Sequence, residues 1–177
     1  MKGKPILFNG TMVRAILEGR KTQTRRIIKE KPPYFLVDEG RPIWADKYGD
    51  YHDRYSPYGI PGDRLWVRET WAQDLHGEIF YAADHLNKPS TVEKWKPSIF
   101  MPRKISRITL EIVNIRVERV QDITETDALA EGIIPSEIGI TNKTCYQLLW
   151  DHINGAGDWK LNPWVFVIEF KRRKGVK

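Results

Sequence analysis

Residues 19–26 read GRKTQTRR and lie where the sequence changes from a helical pattern to an extended one. Before them, a helix over about 11–18 is predicted from three apolar residues at helical spacing, Val13, Ile16 and Leu17. Gly19 ends that helix, as glycine does just past a helix C-terminus. β-Branched residues then predict a strand over 22–28. The segment therefore turns the chain from helix to strand, with one lysine, two threonines and three arginines at the turn.

This basic segment suits two kinds of chemistry. Its cations favour contact with an anion or a nucleic acid. Alternatively, Thr24 supplies a hydroxyl nucleophile and Lys21 its base, provided that burial lowers the pKa of the lysine. The two residues would face opposite sides of a straight strand, so they converge only if the chain turns after Gly19. A basic strand edge without chemistry has the same composition, and residue types alone leave these alternatives open.

Length and cysteine content limit the class of protein. A chain of 177 residues is expected to form a single domain, residues 1–177, with a core that needs neither disulfides nor metal. Cys145 is the only cysteine, so no intrachain disulfide forms and a cytoplasmic location is expected. The apolar run at 6–8 is too short for a signal peptide. No run approaches the length of a membrane span, so no membrane partner is expected.

Charge is segregated along the chain. The formal net charge is +6, and residues 1–31 hold nine lysines and arginines against two glutamates. Residues 171–177 form a basic tail, whereas residues 121–142 hold five acidic residues and no lysine or arginine. A basic chain with a separate acidic segment favours a polyanion partner on one face. We expect that partner to be a nucleic acid or a nucleotide-like ligand, with solvated surface charge as the alternative, and charge does not distinguish RNA from DNA.

Short strands and short helices are predicted along the rest of the chain. Strands are expected at about 5–8, 64–71, 79–82, 107–120 and 164–170. Thr124 and Asp127 resemble a capping box that starts a helix over about 124–130, and a further helix is expected over about 142–153. Two stretches are predicted to be irregular and to include long insertions, 29–62 and 84–104.

The apolar pattern over 107–120 indicates how the sheet is shaped. Its phase changes between Ile112 and Val113, which predicts a β-bulge there. Residues 164–170 are apolar on both faces until Glu169, so this strand is expected to be central. The combination predicts an α+β fold: a small mixed, mostly antiparallel β-barrel with about three short helices packed on it.

Common catalytic and metal-binding motifs are missing from the sequence. The four histidines lack the spacing of metal ligands, so neither a metal nor another cofactor is expected. Aromatic residues near cations are candidates for stacking on bases, with a core role or a lid over the core as the alternative. These aromatic candidates are Trp66, Trp71 and Tyr58.

Residues 19–26 resemble the N-terminal signature of ASCH domains, which belong to the PUA-like barrel superfamily. Three later stretches are similar to that family in the same order: PGDRLWV at 61–67, the acidic helix at 122–131 and WVFVIEF at 164–170. The whole chain is similar to the larger ASCH proteins of phages and prophages, with insertions at about 29–60 and 84–104. The resemblance implies a PUA-like barrel that binds RNA or modified bases.

Some small bacterial ASCH proteins are amidohydrolases that deacetylate N(4)-acetylcytidine. Resemblance to their Lys-Thr-x-Thr motif implies Thr24 as nucleophile, Lys21 as its base and Glu131 as proton relay. Glu125 and Asp127 compete with Glu131 for the match. Backbone amides would then hold the oxyanion.

Three functions are therefore expected as alternatives. The first is binding of RNA or a modified nucleoside in a cleft at Lys21 and Thr24, with candidate contacts from Arg20, Arg25, Arg26, Trp66, Arg68, Trp71 and Tyr58. The second is hydrolysis of acetylated cytidine or a related amide. The third is a phage accessory protein that acts through protein contacts. Sequence patterns do not indicate the oligomeric state.

Overall fold

The computed structural model describes residues 3–29, 35–38, 41–45, 51–53, 56–135 and 139–173. In these ranges the strands are β1 (Lys4–Leu7), β2 (Gln23–Ile27), β3 (Phe35–Asp38), β4 (Arg41–Ala45), β5 (Tyr51–Asp53), β6 (Arg64–Arg68), β7 (Trp71–Gln73), β8 (Ile79–Tyr81), β9 (Thr109–Arg119) and β10 (Trp164–Arg173). The α-helices are α1 (Gly10–Leu17), α2 (Glu125–Ala130), α3 (Asn142–Asn154) and α4 (Asp158–Leu161). The fold is therefore α+β, as the sequence predicts.

Five strands form the main sheet in the order β1-β6-β9-β10-β2. β1 and β6 run parallel, and the other neighbouring pairs run antiparallel. This confirms a mixed, mostly antiparallel sheet. The described strands form an open sheet, with β1 and β2 at its two edges, and not the closed barrel that the sequence analysis predicts.

β10 separates two buried clusters in the described part of the chain. Its neighbours are β9 and β2, so it is an inner strand, as predicted. Because side chains alternate along a strand, Phe166 and Ile168 face the cluster that includes α1, whereas Val165 and Val167 face the cluster under α2, α3 and α4. The edge strand β2 lies beside β10 and therefore borders both clusters.

The predicted β-bulge lies at Val113. Glu169 pairs with Asn114 and Phe170 pairs with Ile112, so Val113 has no residue opposite it and is half exposed. The extra residue returns Val117 to the same buried cluster as Ile112. The phase change in the sequence thus reports a real irregularity in the sheet.

The prediction that residues 29–62 are irregular is partly wrong. Within that stretch β3, β4 and β5 form a separate antiparallel sheet in that order. Proline has no backbone N–H to donate in a sheet. Pro42 is tolerated because it lies where β4 pairs only with β3, opposite Val37, and pairing with β5 begins at Ile43. The rest of that call, at 30–34, 39–40, 46–50 and 54–55, lies outside the described residues.

Other local predictions agree more closely with the structure. The predicted strand over 64–71 is divided into β6 and β7, and the segment 84–104 holds only short 3₁₀ turns and one isolated bridge. The three predicted helices are confirmed as α1, α2 and α3, and α4 was not predicted. The capping box of α2 is present, because the Asp127 N–H donates to the Thr124 hydroxyl and the Thr124 N–H donates to the Asp127 carboxylate.

Candidate active site

The turn after α1 brings Lys21 to the end of α2. Gly19 has a φ of 79°, in the left-handed region that glycine adopts readily. Three residues later, the Thr22 N–H donates to the Ala130 carbonyl over 2.8 Å. This bond ties the start of β2 to the last residue of α2. Glu131, the C-cap of that helix, therefore lies beside Lys21.

Lys21 and Glu131 form a buried ion pair. The Lys21 Nζ donates to the Glu131 Oε2 over 2.7 Å and to the Glu131 carbonyl oxygen over 2.8 Å. Their side chains are 0% and 3% exposed. Burial lowers the pKa of Lys21 below its ordinary value of 10.5, and the attraction of Glu131 does not offset that effect. The amine is therefore easier to deprotonate than an ordinary lysine.

Gly132 allows this close packing. Its φ is 92°, and a Cβ at this position would lie 3.2 Å from the Lys21 Cβ and 3.0 Å from the Ala15 Cβ. A side chain would thus combine backbone strain with a steric conflict against the lysine. Gly132, which follows the predicted proton relay Glu131, thus also shapes the buried site.

Arg25 connects the same glutamate to a wider acidic cluster. Its guanidinium contacts the Glu131 Oε1 over 3.1 Å, the Glu118 Oε1 over 2.6 Å and the Asp127 Oδ2 over 3.3 Å. Burial alone would lower the pKa of Arg25, but Glu131 and Glu118 raise it above its ordinary value. Arg25 is therefore a fixed cation that anchors Glu131.

Further pairs hold that acidic cluster in place. The Gln23 side-chain amide donates to the Asp127 carboxylate over 3.0 Å, and this bond together with its Thr124 partners lowers the pKa of Asp127 in spite of burial. Arg116 contacts Glu118 over 3.0 Å and Asp127 over 3.2 Å, and it also pairs with Glu169. The carboxylates of Asp127 and Glu118 thus each have several ion-pair or hydrogen-bond partners.

A pocket of about 200 Å³ lies along the edge strand β2, between that strand and α3. We call it the β2 pocket; the lining residues that matter here are Thr24, Arg26, Tyr58, Glu131, Tyr146 and Trp150. Lys21 is completely buried and does not line the pocket, but it donates to Glu131, which does. The carboxylate is therefore the link between the buried amine and the cavity.

Thr24 has the side-chain hydroxyl that is best placed for chemistry in this pocket. The residue is 2% exposed and lines the cavity together with Glu131. Among the described residues its hydroxyl has no hydrogen-bond partner, and in particular it is not bonded to Lys21. The structure thus brings Lys21, Thr24 and Glu131 into one region, with the Lys21–Glu131 contact formed and the Lys21–Thr24 contact open.

Helix α3 supplies the wall that sequence reasoning missed. The helical spacing of its apolar residues predicts the helix but not a pocket wall, yet the pocket is lined by Tyr146, Leu149, Trp150 and Ile153. Tyr146 is 4% exposed and its ring lies 5.8 Å from the Arg25 guanidinium. Burial raises the pKa of Tyr146 well above its ordinary value, so the phenol stays protonated. Its hydroxyl has no partner within the described ranges.

The other predicted contact residues divide into two groups. Arg26 and Tyr58 line the pocket with Arg25. Arg20 instead bonds the exposed Glu18 and the Gly132 carbonyl.

Trp66, Arg68 and Trp71 are not brought to the pocket. Arg68 lies over the Trp66 ring at 5.4 Å and donates to the Met101 carbonyl, and Trp71 is 7% exposed. Trp71 is therefore better described as a core residue than as a residue that stacks on a base.

Comparison of the chain with protein-family models, with curated proteins and with solved structures found no match. The resemblance to ASCH domains thus stays a prediction from the motifs. In the part of the chain that the structure describes, no helix is long and apolar enough to cross a membrane.

Proposed function

We propose that the protein is an amidohydrolase that acts on a modified nucleoside, with N(4)-acetylcytidine as a substrate. The observation that carries the proposal is the shared position of three groups. Thr24 and Glu131 line one pocket, and the buried Lys21 donates a hydrogen bond to the Glu131 carboxylate. The ASCH resemblance assigns the same three residues, and it supports the proposal as an analogy.

Lys21 has the chemistry required of the base. A neutral amine has two N–H donors and one lone pair, and both donors are already directed at Glu131 atoms. The lone pair is then the group left to accept the Thr24 proton. Burial favours this neutral form because it lowers the pKa of Lys21. Catalytic hydrogen bonds often tighten only when substrate binds, so the open Lys21–Thr24 contact is compatible with this role.

The proposed reaction has two halves. The Thr24 oxygen attacks the acetyl carbonyl carbon while its proton passes to Lys21, which forms a tetrahedral oxyanion. Collapse breaks the C–N bond, the leaving nitrogen takes a proton delivered through Lys21 and Glu131, and the acetyl group stays on Thr24 as an ester. Water then hydrolyses the ester to acetate and restores the hydroxyl. The unpaired Tyr146 hydroxyl is available to donate to a substrate oxygen.

The walls of the pocket suit one heteroaromatic ring. Tyr58, Tyr146 and Trp150 supply aromatic surface, and aromatic side chains stack on bases of any sequence. The cavity of about 200 Å³ is smaller than the roughly 300–1,000 Å³ typical of drug-sized ligands. It therefore fits a single base or a compact nucleoside and not a run of stacked nucleotides.

A second candidate function is binding of RNA or a modified nucleoside without turnover. The observation in its favour is that Lys21 donates to two Glu131 atoms, which also describes a structural ion pair in a buried site. In that case Thr24 contributes only a hydrogen bond to the ligand. Affinity for single-stranded RNA would then fall steeply as salt is raised.

Turnover separates the two functions. The folded wild-type protein is incubated with N(4)-acetylcytidine and the release of cytidine is measured, alongside Thr24→Val and Thr22→Val. Thr22 is the matched control because it is an exposed threonine two residues away. We expect turnover by the wild type and by Thr22→Val and none by Thr24→Val. Absence of turnover by the wild type would overturn the proposal for this substrate, and equal rates in all three proteins would overturn the assignment of Thr24.

A further inference from the structure

Neighbouring arginines on β2 have opposite electrostatic environments. Arg25 is paired with Glu118, Asp127 and Glu131. Arg26 lines the same pocket but has no carboxylate partner within the described ranges. Among the described residues no carboxylate therefore pairs with Arg26, whereas three pair with Arg25.

Arg26 is nevertheless held in one orientation. One of its nitrogens donates to the Leu7 carbonyl over 2.6 Å, and its guanidinium lies over the Phe8 ring at 5.2 Å. These contacts use few of its N–H groups, so most of the N–H donors of the guanidinium can bind a ligand. A guanidinium that is fixed by an aromatic ring and a carbonyl loses little freedom when it binds an anion.

Lys29 adds a second uncompensated cation at the pocket. It lines the cavity, its side chain is exposed, and it has no ion-pair partner in the part of the chain that the structure describes. The pocket lining thus combines Glu131, which is paired with Lys21 and Arg25, with two cations, Arg26 and Lys29, that have no carboxylate partner among the described residues. Guanidinium and ammonium groups both bind phosphate oxygens well.

We propose that the ligand of the β2 pocket carries a phosphate group bound by Arg26 and Lys29, so that a phosphorylated nucleoside binds more tightly than the free nucleoside. The identity of the base rests on the proposed function, whereas the phosphate contact rests on these two cations. The phosphate has two sources, a monoester on a single nucleotide or a diester within RNA. The small cavity favours the single nucleotide.

Binding is measured by calorimetry on the wild-type protein with cytidine, cytidine 5′-monophosphate and a short cytidine-containing RNA. None of these carries an acetyl group, so the result is independent of turnover. We expect the monophosphate to bind about tenfold or more tightly than cytidine, with an advantage that shrinks as salt rises. A preference for the RNA over the monophosphate would support the phosphate contact and identify RNA as its source. Equal affinity for cytidine and its monophosphate, or no binding of either phosphate-bearing ligand, would overturn the proposal.

Variants test which residues bind the phosphate. Arg26→Gln and Lys29→Gln should each remove most of the advantage of the monophosphate over cytidine. Lys104→Gln is the matched control, since Lys104 is an exposed lysine that does not line the pocket. Retention of the full advantage in the Arg26→Gln, Lys29→Gln double variant would also overturn the assignment. Failure of the wild type to hydrolyse N(4)-acetylcytidine, with this advantage intact, would count against the hydrolase alone.

Discussion

Two buried glutamates of this protein have very different surroundings. Glu131 pairs with Lys21 and Arg25 beside the β2 pocket. Glu69, which is 1% exposed and does not line that pocket, pairs with Arg107 through two hydrogen bonds of 2.9 Å. Both are carboxylates withdrawn from water and matched to a cation.

The surroundings of Glu69 are those of a structural ion pair. Arg107 also pairs with Asp84 and lies 4.0 Å over the Tyr81 ring, and the Tyr81 hydroxyl donates to the Ile105 carbonyl. Burial raises the pKa of Glu69 in spite of Arg107, and both of its carboxylate oxygens accept hydrogen bonds from Arg107. None of these residues lines the β2 pocket.

The comparison shows that buried charge alone does not identify a functional site. The Glu131 region differs because its lysine has a pKa lowered by burial and because Glu131 lines a pocket together with Thr24 and Tyr146. Groups with unused hydrogen-bonding capacity next to a cavity can serve a substrate. Groups that are fully satisfied stabilise the fold.

The largest expected effect is on catalysis at the pocket. Lys21→Met removes the base and keeps an apolar chain of similar length in the same buried site. We expect kcat/KM for N(4)-acetylcytidine to fall by about 10³-fold, within the range of a lost general base. Glu131 keeps Arg25 as a partner, so the variant should fold, which circular dichroism checks. A folded variant with wild-type turnover would remove Lys21 from the mechanism.

Arg107→Met is expected to reduce stability and leave activity unchanged, which is the reverse of the effect expected for Lys21→Met. It leaves Glu69 buried without its cation, and breaking a buried pair costs about 3–5 kcal/mol, with the lower end expected because part of Arg107 is exposed. Denaturant unfolding measures that loss. Turnover per folded molecule should stay at the wild-type value. A selective loss of activity without a loss of stability would show that the Glu69 region is also functional.

The pH dependence should separate the two regions further. Since native Lys21 binds its proton more weakly than the unfolded chain does, the unfolded state holds more protons between the lowered pKa and 10.5. The free energy of unfolding of the wild type should therefore rise with pH in that window relative to Lys21→Met. The same deprotonation should make kcat/KM rise with pH and level off below 10.5.

These profiles are best recorded below pH 10, the ordinary pKa of tyrosine. Arg107→Met should show the same alkaline rise in activity as the wild type. A rate that is independent of pH across this range would contradict a base role for Lys21.

The smallest effect is expected at Arg20. It lies one residue from Lys21, but it pairs with the exposed Glu18 and does not line the pocket. Arg20→Gln should change the unfolding free energy by less than about 1 kcal/mol, as for other surface pairs. Monophosphate binding and turnover should match the wild type. A large loss of binding would restore Arg20 as a ligand contact.

Local patterns predicted the local parts of this fold. The capping box of α2, the bulge at Val113 and the inner position of β10 each depend on a few adjacent residues, and each is confirmed. The three strands β3, β4 and β5 were missed because prolines and charges obscure alternation in that stretch. The open sheet was missed because strand spacing does not report whether two edges pair.

The site was harder to predict, because its contacts are distant in sequence. Lys21 and Glu131 are 110 residues apart, and no periodic pattern connects them. Only the resemblance to ASCH domains assigned both residues to one site. Tyr146 and Trp150 were recognised as an apolar helix face, but spacing does not tell whether such a face meets a core or a cavity. In this protein the face of α3 does both.

The most direct test of the account is the detection of an acetyl group on residue 24. Wild-type protein is mixed with excess N(4)-acetylcytidine, quenched in acid at successive times and digested, and the peptide that contains Thr24 is analysed by mass spectrometry. We predict one acetyl ester on Thr24 in the wild type, an equivalent ester on the serine of Thr24→Ser, and none in Thr24→Val. Release of cytidine with no acetyl group on residue 24 at any time, or with the group on another residue, would contradict the account.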